Sequence, residues 1–190
     1  MHFLEWFIIF IIIILVFFYI KGLTAEVLYV KSKVDNNMYL VRKMPNQQEA
    51  ADLLANIGNK LEELVVYVAA TYPENEDVKR LFKNYYKKNI SESSPSSQYT
   101  SYSVDKGERI VLCIRQKDKL SSFVDMNTIL FVAIHELGHL MTDEIGHTPV
   151  FWANFKFLLE EAVTIGIYTK VDYAEKPEKY CGIKIQSTVI

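Results

Sequence analysis

The sequence predicts an α+β chain, in which an N-terminal transmembrane helix precedes a small, mostly antiparallel sheet packed on helices. Three observations carry that expectation. An uncharged apolar run, Trp6–Ile20, stands near the start. Short β-rich runs then alternate with segments whose apolar residues recur every three or four positions. One of the helical segments contains His135-Glu136-Leu137-Gly138-His139.

At 190 residues the chain has room for one ordinary domain. With Phe3 and Leu4 the first run reaches about 18 residues, near the ~20 that a helix needs to cross hydrocarbon. Its β-branched and aromatic residues form helix poorly in water, but in lipid the backbone must satisfy itself. A cleaved signal peptide would want a basic start and an apolar stretch of about 7–15 residues, and only Leu23-Thr24-Ala25 offers a cleavage site. An uncleaved anchor at residues 1–22 is therefore expected. Lys21, Lys31, Lys33, Arg42 and Lys43 follow the run and no Lys or Arg precedes it. The positive-inside rule then makes this a single-pass membrane protein with its C-terminal domain in the cytoplasm. The triplet Asn89-Ile90-Ser91 matches a glycosylation acceptor and points the other way, but such triplets arise often by chance. Twenty-one Lys plus Arg against 23 Asp plus Glu lack the basic excess of a general nucleic-acid binder. Cys113 and Cys181 read as two partly buried free thiols in a reducing compartment, since nothing in their spacing demands a bond.

Residues 23–98 read as the N-terminal hairpin and helical part of the domain, and residues 99–190 as its core. Val27–Val34 and Met38–Arg42 are β-rich, with turn residues Asp35-Asn36-Asn37 between them. From Gln47, the positions Leu54, Ile57, Leu61, Leu64, Val65 and Val68 give one apolar helix face, which ends at Tyr72-Pro73. A shorter helix follows, with Val78, Leu81, Phe82 and Tyr85 on one side. Ser91–Gln98 is polar and reads as a loop. Tyr99–Val104, the turn Asp105-Lys106-Gly107 and Glu108–Arg115 form a second hairpin candidate, followed by a loop at Gln116–Ser122. The sequence has no internal repeat.

His135-Glu136-Leu137-Gly138-His139 is an H-E-x-x-H pattern inside an apolar stretch that reads as a helix, capped by Asp125 or Asn127. Residues four apart share one helix face about 6 Å apart along the axis, so two imidazoles there can bind one tetrahedral zinc. Glu136 then lies near the metal's water and can take its proton. A catalytic zinc needs a third protein ligand and an open position. His147 is the leading candidate, because His2, His135 and His139 are the only other histidines. Gly146 suits a helix end, Thr148 an N-cap and Pro149 a first helical turn, so His147 falls in a tight turn between two helices. The second helix reads as Val150–Tyr168, with Phe151, Phe155, Leu158, Leu159, Ala162 and Ile165 inward. Glu160 or Glu161 on that helix is the other candidate ligand. The strand Glu108–Arg115, with Ile110, Leu112 and Ile114, is an edge-strand candidate for binding extended substrate, or else an internal sheet strand. Tyr168, Tyr173 and Tyr180 include possible oxyanion donors, or else packing residues.

The run His135-Glu-Leu-Gly-His139 followed by Gly146-His147-Thr-Pro-Val-Phe-Trp152 resembles the WLM and SprT-like metallopeptidases. The likeness spans roughly residues 99–182, including Asp105-Lys-Gly-Glu and Tyr180-Cys-Gly182, and the chain also resembles a group of such proteins in large DNA viruses of eukaryotes. The resemblance implies a zincin-like domain, zinc held by His135, His139 and His147, Glu136 as general base and a protein or peptide substrate. Leu140 stands where WLM proteins commonly carry Asn, no DNA-binding or ubiquitin-interaction tail is evident, and an anchor is expected instead. The function expected is a membrane-anchored zinc endopeptidase with no nucleic-acid partner. A catalytically inactive, membrane-tethered zinc-binding scaffold is the alternative, and a nuclear enzyme acting on chromatin is a third reading.

Overall fold

The structure, a computed structural model, describes the backbone of residues 2–23, 25–118 and 120–190, and the side chains of residues 4, 6–16, 25–118 and 120–190. The first helix, α1, covers His2–Leu23. The expected transmembrane anchor is corrected here, because among the described residues no helix is long and apolar enough to cross a membrane. The unbroken apolar stretch of described side chains, Trp6–Val16, gives about 16 Å of helix at ~1.5 Å per residue. That is roughly half of the ~30 Å hydrocarbon core. The side chains of residues 17–20 and Thr24 of the rival cleavage site lie outside those described. The single-pass, cytoplasm-facing topology loses its premise with the span. Arg42, counted among the flanking charges, is instead 7% exposed and ion-paired inside the domain.

β1 (Val27–Lys31) and β2 (Met38–Arg42) form the expected antiparallel hairpin, in register from Val27 opposite Arg42 to Lys31 opposite Met38. Asn36 takes φ 62° in the turn, and Asn37 N donates to Asp35 Oδ1 at 3.0 Å. Ser32 Oγ donates to Asp52 Oδ1 at 2.8 Å and fastens the hairpin to α2 (Gln47–Thr71). The six apolar positions read from the sequence are all buried on α2. α3 (Glu76–Asn84) follows, with the Asn75 side chain accepting from the Asp77 and Val78 amides.

β3 (Ile90–Glu92), β4 (Tyr102–Val104) and β5 (Arg109–Leu112) make a three-stranded sheet. β5 is its middle strand, parallel to β3 and antiparallel to β4. The internal alternative therefore describes this strand, and Ile110, Leu112 and Ile114 are fully buried. Ser91–Gln98 also departs from the loop expectation, since Ser91, Glu92 and Ser93 are buried. The reason is electrostatic. Arg115, fully buried, donates from Nε to Glu92 Oε1 at 2.7 Å and from Nη1 to Asn46 Oδ1 at 2.7 Å. The Arg42 amide donates to Glu92 Oε2 at 2.7 Å, and Arg42 Nε to Ser93 O at 2.8 Å. A buried charge persists only when paired and hydrogen-bonded, so Glu92 draws its segment inward. Asn89, from the glycosylation triplet, donates its amide to Gly107 O at 3.0 Å.

α4 (Met126–Met141) is capped by Asp125, whose carboxylate accepts from the Thr128 amide. Asn127, the other candidate cap, hydrogen-bonds Thr169 instead. α5 (Pro149–Thr164) starts at the expected Thr148-Pro149 but stops short of Tyr168, where Gly166 takes φ 74°. One core joins β2, α2, α3, β3, β5, α4 and α5. The hairpin β6 (Glu178–Tyr180) and β7 (Ile183–Ile185) closes the chain.

The free-thiol reading is corrected as well. Cys113 and Cys181, each 1% exposed, form a disulfide with Cα atoms 6.3 Å apart. They lie 68 residues apart, and only the return of the C-terminal hairpin beside the end of β5 brings them together. The bond removes freedom from the unfolded chain, an effect of about 2–4 kcal/mol. Cys181→Ser should lower stability by about that amount in urea unfolding under non-reducing conditions. An unchanged midpoint would show that the bond constrains nothing.

Candidate metal centre

α4 carries His135 and His139 on one face, as a four-residue step requires. Gly138 makes room for α5 to approach that helix, since a Cβ there would stand 3.1 Å from the Phe151 ring. Phe151 and Phe155 are thereby brought under the histidines. The His139 ring stacks on Phe151 at 4.3 Å, and the His135 ring meets Phe155 edge-on at 5.1 Å. Beyond α4 the chain turns at Gly146, φ 88°, and returns as α5 with Thr148 Oγ1 accepting from the Phe151 amide. This turn brings His147 over the other two, with its ring stacked on Trp152 at 5.5 Å.

The three imidazoles converge. Their ring centroids are 4.9–5.0 Å apart, and one ring nitrogen from each lies within 4.8 Å of the others. His147 Nε2 and His135 Nε2 are 3.0 Å apart. Nitrogens at Zn–N bonds of ~2.0–2.1 Å on a tetrahedral ion would lie roughly 3.3 Å apart. Burial, and then the neighbouring rings, pushes His135 down to about 3, and burial likewise pushes His139 down to about 4. Both rings therefore stay neutral and keep the lone pairs that a cation needs. Three nitrogens on one side leave a fourth position open, so the donor set fits zinc.

Glu136 is 4% exposed, and its Oε2 has no hydrogen-bond partner. Burial pushes its carboxyl up to about 7, against the opposing effect of Ser103. The cavity in front of these groups has a volume of about 560 Å³ and is walled by Ser101, Tyr102, Ser103, Lys106 and Ile145. The wall is thus β4, the sheet's edge strand on this side, rather than β5.

The other sequence candidates lie elsewhere. Glu161 accepts from the Tyr72 hydroxyl at 2.6 Å, and Glu160 is exposed beside Lys156. Tyr168 and Tyr173 gather around Phe131. Tyr180 is buried, and its hydroxyl shares a 2.7 Å hydrogen bond with Ser101 Oγ on the cavity wall. Sequence reasoning missed Ser101, Ser103 and Lys106. Asp105-Lys106-Gly107 carried a turn signal, but nothing in it pointed at the metal helix.

The WLM domain family model matches residues 33–186. The uncharacterized protein R325 of Acanthamoeba polyphaga mimivirus is 36% identical over 183 residues, covering 94% of this chain and 92% of that protein. The uncharacterized protein 136R of Invertebrate iridescent virus 6 is 30% identical over 159 residues, covering 80% and 85% respectively. Among solved structures, Wss1 from Saccharomyces cerevisiae is similar at 22% identity and a TM-score of 0.47, covering 64% of this chain and 83% of that one.

Proposed function

The chain belongs to the WLM family, a metallopeptidase type with relatives in large DNA viruses, and on that premise we propose that it is a zinc-dependent endopeptidase. The observation that carries the reading is the convergence of three imidazoles beside a buried, unpartnered carboxylate oxygen. His135, His139 and His147 hold the metal, and Glu136 is the general base. Bound zinc supplies Lewis acidity, which makes its water a nucleophile near neutral pH. Glu136 accepts the proton of the attacking water and passes it to the departing amine. Its burial keeps it from spending that proton on bulk solvent. β4 offers an extended substrate its free edge beside the cavity, which would bring a scissile carbonyl to the open side of the three imidazoles.

The test uses the full chain. It should carry about one zinc and cleave an unfolded protein. A chelator should abolish cleavage, and added zinc should restore it. Cleavage that survives complete removal of metal would exclude the mechanism. Zinc without cleavage would leave a non-catalytic scaffold.

A further inference from the structure

We infer that Lys106 is a positioning residue which holds the loop after the metal helix and thereby sets the third ligand, His147; the inference rests on the ligand reading above. Lys106 lies in the turn between β4 and β5, with φ 53°. Its Nζ donates to Thr142 O at 2.6 Å, Asp143 O at 3.0 Å and Glu144 O at 2.9 Å. An ammonium has three hydrogens, and three successive carbonyls take them all. These carbonyls stand at and just beyond the C-terminus of α4, where the helix dipole favours a cation. His147 follows three residues after the last of them.

Little else secures this stretch. Asp143, Glu144 and Gly146 are exposed, and Ile145 is 92% exposed, so no apolar burial anchors it. Arg80 reaches Met141 O at 2.7 Å and lies 3.8 Å from Asp143, while Asn154 donates to Thr142 Oγ1 at 3.0 Å. Both hold mainly the helix end. The base of Lys106 is itself fixed. Gly107, at φ 114°, sits against Asn84 O of α3 and Leu140 of α4, where a Cβ would clash. A loop ordered in advance spares metal binding the cost of ordering it, which is the sense in which support outside the coordination sphere tunes affinity.

Zinc affinity is measured by chelator competition on the full chain and on its Lys106→Met, Lys106→Arg and His147→Ala variants, together with the Lys106→Met/His147→Ala double variant. Lys106→Met should weaken zinc binding by about 10–100-fold. Lys106→Arg, which keeps the charge and can span two carbonyls, should recover most of that loss. In the His147→Ala background, Lys106→Met should have almost no further effect, because the loop then has no ligand to position. Wild-type affinity in Lys106→Met, or an equal loss in both backgrounds, overturns the inference and leaves the ligand reading standing. Wild-type affinity in His147→Ala overturns the ligand reading itself, and this inference with it. If Lys106→Met does not fold, Lys106→Arg is compared across the same two backgrounds, where its smaller loss should likewise vanish without His147.

Discussion

Glu136→Gln should lower peptide hydrolysis by about 10²–10⁴-fold while the zinc content stays at the wild-type level. Gln fills the same volume and keeps a carbonyl oxygen, but an amide does not accept the water's proton at neutral pH. Glu136 is not among the converging ligand atoms, so its replacement leaves the three imidazoles in place. The effect should fall on kcat and kcat/KM together, since the interaction removed is one made during proton transfer. The carboxyl, pushed up to about 7 by burial, also tells how the group behaves with and without metal. A dication nearby favours the carboxylate, so the loaded enzyme should have its base ionised well below neutrality. Wild-type turnover in the Gln variant would remove Glu136 from the mechanism.

His147→Ala should weaken zinc binding by well over tenfold, more than the ~10–100-fold typical of groups outside the coordination sphere. Two imidazoles would remain, and the ion would have to fill the gap with water. Glu161→Gln should leave zinc affinity nearly unchanged, because its carboxylate is engaged by Tyr72 at 2.6 Å. Glu160→Gln should do the same, since that side chain lies exposed beside Lys156. Competition against a chelator of known affinity orders all three variants. A larger loss from either Glu variant would make the site one of two histidines and a glutamate.

What could be read from sequence and what could not divide along physical lines. Periodicity reports local geometry, so the amphipathic face of α2, the β1–β2 hairpin and the start of α5 were legible. The histidine spacing is also local, because one helix face and one turn fix it. Pairings across the chain leave no periodic mark. Glu92 sits in a Ser-rich stretch that looks solvated, and only two arginines from distant segments explain why it is buried. The strand at Arg109–Leu112 was found, but its place in the middle of the sheet depends on the unforeseen β3. The Cys113–Cys181 bond is of the same kind, a long-range partnership that spacing does not announce. The span expected over residues 3–20 rested on hydropathy, and among the described residues no helix is both long and apolar enough to cross a membrane.

The bond between Cys113 and Cys181 has a topological consequence. α4, the exposed segment at Asp143–Gly146 and α5 all lie between its two ends, so the three histidines and Glu136 sit inside one covalent ring. That exposed segment borders the cavity in which peptide bonds would be cut. A nick there opens the ring without releasing a fragment, and His139 and His147 stay in one molecule on either side of the break. Damage of this sort would be invisible on a gel run without reductant and would appear as two pieces once the sulfurs are reduced.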